Sequence, residues 1–136
     1  MTLVAFHFKK MLAEKKKNAA GKISAKNNVA ITDIKEAKLN MGKSSQAGAE
    51  VTFQFTVNYE PDLGSIELVG AVVYMGTTEV IKAVMDAWNK DKQVSKDVVE
   101  ELYNHVLHKC NIQALIMARD MQLPAHIQLP RVKAKE

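Results

Sequence analysis

The chain has 136 residues, a net charge of +4 and a single cysteine, and these values already exclude several classes of protein. The length suits one domain that buries about 68% of the surface of its unfolded chain. No run of roughly 18 apolar residues occurs, so no membrane span is predicted, and the N-terminus lacks the charge order of a secretory signal. One cysteine excludes an internal disulfide framework. We therefore expect a single cytoplasmic domain over residues 1–136.

The positive charge is concentrated in the N-terminal third of the chain. Residues 1–43 contain ten Lys or Arg and three Asp or Glu, which gives +7, whereas residues 44–136 contain nine and twelve, which gives −3. Charge runs of this kind most often form a solvated surface. The alternative is a phosphate-binding surface for RNA or the ribosome, because lysines bind phosphate without regard to base sequence. The lysines that would form it are Lys9, Lys10, Lys15, Lys16, Lys17, Lys22 and Lys26.

The N-terminal segment permits two interpretations. Phe6 and Phe8 alternate as they would in a strand, but Phe8, Met11 and Leu12 also have helical spacing. The next segment, NVAITDIKEAKL, alternates until Asp33, where the phase of the pattern changes. This change predicts a strand with a bulge or bend at Asp33.

The middle of the chain predicts a β-hairpin. In VTFQFTVNY, residues 51–59, apolar and polar side chains alternate without interruption, which is typical of a strand with one buried face. The segment EPDLGS supplies turn residues. The segment IELVGAVVYMG is apolar on both faces after Glu67, so we expect a strand covered on both sides. Gly70 interrupts it and indicates a bulge or the close approach of another backbone.

The last third of the chain predicts two helices and an extended end. Thr77 or Thr78 is placed to cap the first helix, and Ser95 is placed to cap a longer second helix. Up to Cys110, the apolar residues of the second helix are alternately three positions and one position apart, as on one face of an amphipathic helix. Beyond Cys110 the apolar residues occupy a wider arc of the helix surface. This predicts that the second half of the helix is covered on more than one side.

The C-terminal segment, MQLPAHIQLPRVKAKE (residues 121–136), combines prolines with apolar residues. Pro124 and Pro130 prevent the helix from continuing through it. A disordered tail has no need of Ile127, Leu129 and Val132. We therefore predict an extended segment that is held by apolar contacts.

No motif in the sequence predicts catalysis or metal binding. His105 and His108 have a spacing that two zinc ligands can adopt, but Cys110 points about 200° around the helix from His108, and further ligands are not evident. Cys110 lies on the apolar stripe, where an inert core residue is expected. The glycines of GAVVYMGTT lack the lysine and hydroxyl residue of a phosphate loop. We expect a protein that is not an enzyme and requires no cofactor.

The order of these elements resembles that of the SecB-like family of export chaperones, which bind unfolded polypeptides. The similarity covers residues 28–132 and is carried by AEVTFQFTVNYEPDLGSIELVGAVVYMG, the central hairpin, and by KCNIQALIMARDMQLPAHIQLPRV, the end of the long helix with its proline-led extension. The chain also resembles small archaeal proteins of unassigned function. The resemblance favours a strand for the N-terminal segment. The expected fold is α+β, an antiparallel sheet of about four strands with two C-terminal helices packed on one face.

The resemblance implies ATP-independent capture of non-native polypeptides in apolar grooves, by a homo-oligomer that is a dimer or a tetramer. Burial of apolar surface, at about 25 cal/mol per Å², is non-directional and suits a promiscuous binding site. The family's export chaperones are acidic whereas this chain is basic. A role as a general holdase or an antitoxin-related role is therefore an alternative to a role in export. The residues expected to line or border the grooves are Tyr59, Tyr74, Met75, Leu123, Ile127, Leu129 and Val132.

Overall fold

The computed structural model describes residues 2–17, 21–37, 46–130 and 132, and it has the predicted α+β architecture. The strands form one antiparallel sheet in the order β1-β4-β3-β2, so that β3 and β4 lie at its centre. They are β1 (Thr2–Lys15), β2 (Ser24–Ala37), β3 (Gln46–Glu60) and β4 (Gly64–Thr77).

The core lies between one face of this sheet and the two helices. Alternate residues of β3 from Val51 to Tyr59 are at most 2% exposed, because alternate side chains of a strand share one face. The predicted hairpin of β3 and β4 is confirmed, with its turn after Glu60. Within the single chain the outer face of β4 is mostly half-buried, as at Val69 and Val73, although Ala71 on the same face is buried. The reason is that both helices pack on the other face.

Local irregularities occur where the sequence indicates them. The pairing of β2 with β3 shifts register between Ile31 and Asp33, which confirms the predicted bulge. The N-terminal segment is a strand, paired with β4 along its length. Gly70 marks a close approach of two backbones, because a Cβ there would overlap the carbonyl oxygen of His7 and lie 2.7 Å from Cζ of Phe53.

The helices α1 (Thr78–Asp91) and α2 (Lys96–Asp120) form the second layer. The hydroxyl of Thr77 accepts a hydrogen bond of 3.3 Å from the backbone N–H of Val80, which confirms the cap of α1. Ser95 is the N-cap residue of α2, although its side chain makes no capping bond. The buried residues of α2 recur at intervals of four positions and are Leu102, Val106, Cys110, Ala114 and Ala118.

Candidate functional site

The second half of α2 carries apolar side chains on the side that faces away from the sheet. Ile112 is 49% exposed and Ile116 is 39% exposed, whereas Ala114 and Ala118 are buried against the sheet. The sheet covers one side of the widened apolar arc, and cover of the other side by a second subunit stays a prediction. The described residues cover it on the sheet side and leave the outer side at the surface.

The C-terminal segment begins with a sharp turn that directs it back along the sheet. The backbone N–H of Leu123 donates to the carbonyl of Ala118 at 2.7 Å, and that of Gln122 donates to the carbonyl of Arg119 at 3.1 Å. This pair of bonds is a Schellman motif, in which the residue after the helix adopts the left-handed conformation. Gln122 has a φ of 55° and occupies that position.

The turn leaves an apolar groove between α2 and the C-terminal segment, here called the α2–tail groove. Its volume is about 370 Å³. One end is bordered by Leu129, which is 51% exposed. The groove is lined by Leu115, Ile116, Ala118, Arg119, Leu123, Ala125 and Leu129.

The C-terminal segment is held on the sheet through its backbone carbonyls. The hydroxyl of Tyr59 donates to the carbonyl oxygen of Pro124 at 2.6 Å. The side-chain amide of Asn27 donates to the carbonyl oxygen of His126 at 3.1 Å. The segment is therefore docked on the protein, as predicted for it, but polar contacts as well as apolar ones hold it.

His126 fills the space between α2 and the sheet and is only 4% exposed. Its Nε2 lies 2.8 Å from Oδ1 of Asn111, and its ring packs edge-on against Phe55 with 5.9 Å between centroids. Burial lowers the pKa of His126 below its ordinary value of 6.5, so the ring is neutral at pH 7. The Nδ1 atom has no hydrogen-bond partner among the described residues.

Three of the seven residues expected to border a polypeptide-binding groove are buried. Tyr59 and Tyr74 are each 1% exposed, and burial raises the pKa of both hydroxyls to about 12. Leu123 is 8% exposed and forms part of the wall of the α2–tail groove. The two tyrosines are not accessible to a polypeptide while the C-terminal segment and α2 cover them.

The other four residues lie in different places. Leu129 borders the α2–tail groove, and Ile127, two residues before it in the chain, is half-buried. Val132 is 97% exposed. Met75 lies on the outer face of the sheet, because Tyr74 faces the helices and neighbouring residues of a strand point to opposite faces.

The sequence patterns indicated Tyr59 but did not indicate Ile112, Ile116 or the docking contact between Asn27 and His126. A signal existed for the two isoleucines, since both lie away from the buried stripe of α2, where polar residues are expected. No local signal marks the contact between Asn27 and His126, because these residues are 99 positions apart in the sequence.

The lysines of the alternative phosphate-binding surface are partly neutralised by the chain itself. Four of the seven form ion pairs with carboxylates, and pairing with Lys16 lowers the pKa of the Asp62 carboxyl. Exposed ion pairs are weak, but each reduces the positive potential offered to a phosphate. The pairs are Lys9–Glu50, Lys10–Glu67, Lys16–Asp62 and Lys26–Glu60, with N···O distances of 3.0–3.5 Å.

A second depression, of about 450 Å³, lies where the loop between the helices meets β2. Trp88 and Tyr103 line it, and the ammonium of Lys92 lies 5.3 Å from the centroid of the Trp88 ring. This cation covers the aromatic side chain, so the depression offers less free apolar surface than the α2–tail groove.

The described part of the chain contains no group of three His, Cys, Asp or Glu side chains that could hold a metal ion. Cys110 is fully buried, and burial raises the pKa of its thiol to about 12, so it is not a thiolate at neutral pH. Among the described residues, no helix is long and apolar enough to cross a bilayer.

The sequence matches no protein-family model and no curated protein. A solved structure with a similar fold is that of the SecB-like chaperone Rv1957 of Mycobacterium tuberculosis, in complex with a ChAD peptide from the Rv1956 HigA1 antitoxin. The TM-score is 0.52 at 6% sequence identity, over 99% of this chain and 92% of that chain. At this identity the likeness shows a SecB-like fold and nothing finer. It gives no support to the archaeal resemblance.

Proposed function

We propose that this chain is a non-enzymatic, chaperone-like module of the cytoplasm that binds unfolded or extended polypeptides, and that the α2–tail groove is its site. The observation that carries the proposal is a groove with apolar walls beside the exposed side chains of Ile112, Ile116 and Leu129. Contiguous apolar surface on a folded domain commonly marks an interaction site. The fold-level likeness to a chaperone solved with a bound peptide supports the same class of partner.

The chemistry of the groove suits a polypeptide of variable sequence. Leucine, isoleucine and alanine side chains provide non-directional burial, so the binding free energy follows the apolar area that a client covers. Among the residues that the structure describes, Arg119 is the one charged residue that lines the groove. Its guanidinium provides several hydrogen-bond donors for backbone carbonyls or acidic side chains of a client.

We further propose that the protein is a homo-oligomer. β1 is an edge strand of the sheet, and Val4, Met11 and Leu12 on it are between 45% and 53% exposed. An edge strand with exposed apolar side chains is a template for pairing with another chain. The mass in solution, measured by size-exclusion chromatography with light scattering, tests this, and a strict monomer contradicts it.

Suppression of the aggregation of a heat-denatured protein tests the binding function. We expect Ile112→Ser and Ile116→Ser to lose suppression while keeping the stability of the parent within about 1 kcal/mol, because neither side chain belongs to the buried core and they are 49% and 39% exposed. The matched control is Val80→Ser, which removes an apolar side chain of 42% exposure from α1.

RNA binding at low and high salt is measured in parallel. Equal loss of suppression in the control would show that the groove is not the site. RNA affinity that falls steeply with salt, without suppression of aggregation, would replace the proposal with the phosphate-binding alternative.

A further inference from the structure

Three strands each provide one side-chain donor to the backbone of the C-terminal segment. Nζ of Lys15 on β1 donates to the carbonyl oxygen of Gln122 at 3.4 Å. Tyr59 on β3 donates to the carbonyl oxygen of Pro124, and Asn27 on β2 donates to the carbonyl oxygen of His126. We call Lys15, Tyr59 and Asn27 the donor row. Lys15 and Tyr59 both pair with Gly64 of β4, whereas Asn27 pairs with Val57, two residues before Tyr59, so the row crosses the sheet obliquely.

The dimensions of the donor row match those of an extended chain. From β1 to β2 there are three spacings between strands, which amount to about 14 Å. An extended chain advances about 3.3 Å per residue, so four residues cover about 13 Å. Because Asn27 lies two residues along the sheet from the level of Lys15 and Tyr59, a polypeptide that crosses the strands obliquely brings alternate carbonyls within reach of the three side chains in turn.

The contacts made by the donor row do not depend on the sequence of the bound chain. All three acceptors are main-chain carbonyl oxygens, which every residue possesses. The floor beneath the segment is aromatic, since Phe55 contacts the ring of His126 and Tyr59 lies under Pro124. Backbone hydrogen bonds over an apolar floor are what a site for many different extended polypeptides requires.

The bonds that hold the C-terminal segment are few compared with those of the sheet. Residues 123–130 are not part of any strand ladder of the described chain, and Leu129 is 51% exposed. The segment is attached by three side-chain donors and by the buried side chains of Leu123 and His126, and each hydrogen bond contributes only about 1 kcal/mol net. Local release of such a segment costs far less than global unfolding.

We propose that the donor row is a binding site for an extended segment of a client polypeptide, and that the protein's own C-terminal segment occupies this site until a client displaces it. The inference rests on the proposed polypeptide-binding function and keeps only the α2 wall of the α2–tail groove, because Leu123, Ala125 and Leu129 of the other wall belong to the displaced segment. Displacement uncovers Tyr59 and Phe55 and joins them to the wall of the groove formed by Leu115 and Ile116.

The test measures how tightly the full-length chain binds a fluorescently labelled, reduced and carboxymethylated protein, which is a permanently unfolded probe. His126→Ala removes the ring that fastens the segment and leaves the donor row intact. We expect its affinity for the probe to rise about tenfold, because the apparent affinity scales with the fraction of molecules whose site is free. The matched control, Gln128→Ala, changes an exposed residue of the same segment and should bind as the parent does.

A double variant tests whether client and segment share the same donors. In the His126→Ala background, Tyr59→Phe should weaken binding of the probe about threefold to tenfold, because one hydrogen bond to the client is lost. Far-ultraviolet circular dichroism checks that each variant is folded. If His126→Ala does not fold, an unlabelled peptide of residues 121–130 is used instead, and it should compete with the probe on the parent protein.

The outcomes separate this inference from the proposed function. If the parent binds the probe and folded His126→Ala binds it no more tightly, or if the peptide does not compete, the shared site is wrong while polypeptide binding stands. If Tyr59→Phe has no effect in the loosened background, the donor row does not contact the client, and the inference is equally wrong. If neither parent nor variants bind the probe, the proposed function fails and the inference fails with it.

Discussion

Tyr59 and Tyr74 are buried to the same extent, but their hydroxyl groups differ in hydrogen bonding. Tyr59 and Tyr74 are each 1% exposed and face the same layer of the core. The hydroxyl of Tyr59 donates to Pro124 at 2.6 Å, whereas that of Tyr74 has no hydrogen-bond partner among the described residues. Replacing each by phenylalanine keeps the ring and removes only the hydroxyl.

We expect Tyr59→Phe to lower the free energy of unfolding by about 1 kcal/mol, the net contribution of a typical hydrogen bond, and to lower the melting temperature by roughly 4 °C. Tyr74→Phe should be neutral or slightly stabilising, because it removes a polar group that is buried without a partner. Urea unfolding followed by the fluorescence of Trp88 measures both. Equal costs for the two substitutions would refute the assignment of the hydrogen bond, and with it the docking of the C-terminal segment on β3.

Three further predictions concern backbone geometry and pH. Gly70→Ala should destabilise the protein by about 2–3 kcal/mol in urea unfolding, since the new methyl group meets the His7 carbonyl and the Phe53 ring, and a loss below about 1 kcal/mol would contradict the close approach. Gln122→Gly should raise the stability by about 0.5–1 kcal/mol in thermal unfolding, because glycine adopts positive φ without strain, while Gln128→Gly should not. The pKa of His126 is lowered in the folded state, so the unfolded state binds more protons below pH 6.5, and stability should fall as the pH decreases from about 7 through 6.5 toward that lowered pKa. This part of the acid sensitivity should be absent from His126→Asn, and an unchanged pH profile in that variant would contradict the assignment.

Several elements of the fold follow from local patterns. The unbroken alternation of residues 51–59 predicts a strand with one buried face, and its alternate side chains form the centre of the core. The change of phase at Asp33 predicts the bulge of β2. The hydroxyl of Thr77 caps α1 because capping depends on residues three positions apart, which a sequence displays directly.

The N-terminal segment shows where local patterns are insufficient. Phe6 and Phe8 fit a period of two, whereas Phe8, Met11 and Leu12 fit the spacing of a helix. Pairing with β4 selects the strand, since β1 finds hydrogen-bond partners along β4, about 50 to 70 residues further along the chain. Backbone donors and acceptors must be satisfied, and only the tertiary structure shows which partner satisfies them.

The candidate site, too, was predicted in part from the sequence and decided in part by the tertiary structure. From the sequence alone it was evident that the end of the chain is apolar, interrupted by prolines and preceded by a helix whose apolar arc widens. Which of these apolar residues are accessible was decided by tertiary packing, which buries Tyr59 and Leu123 and leaves Ile112 and Ile116 at the surface. The physical reason is that accessibility depends on what lies above a side chain, and the covering atoms belong to residues far away in the sequence, as with Asn27 and His126.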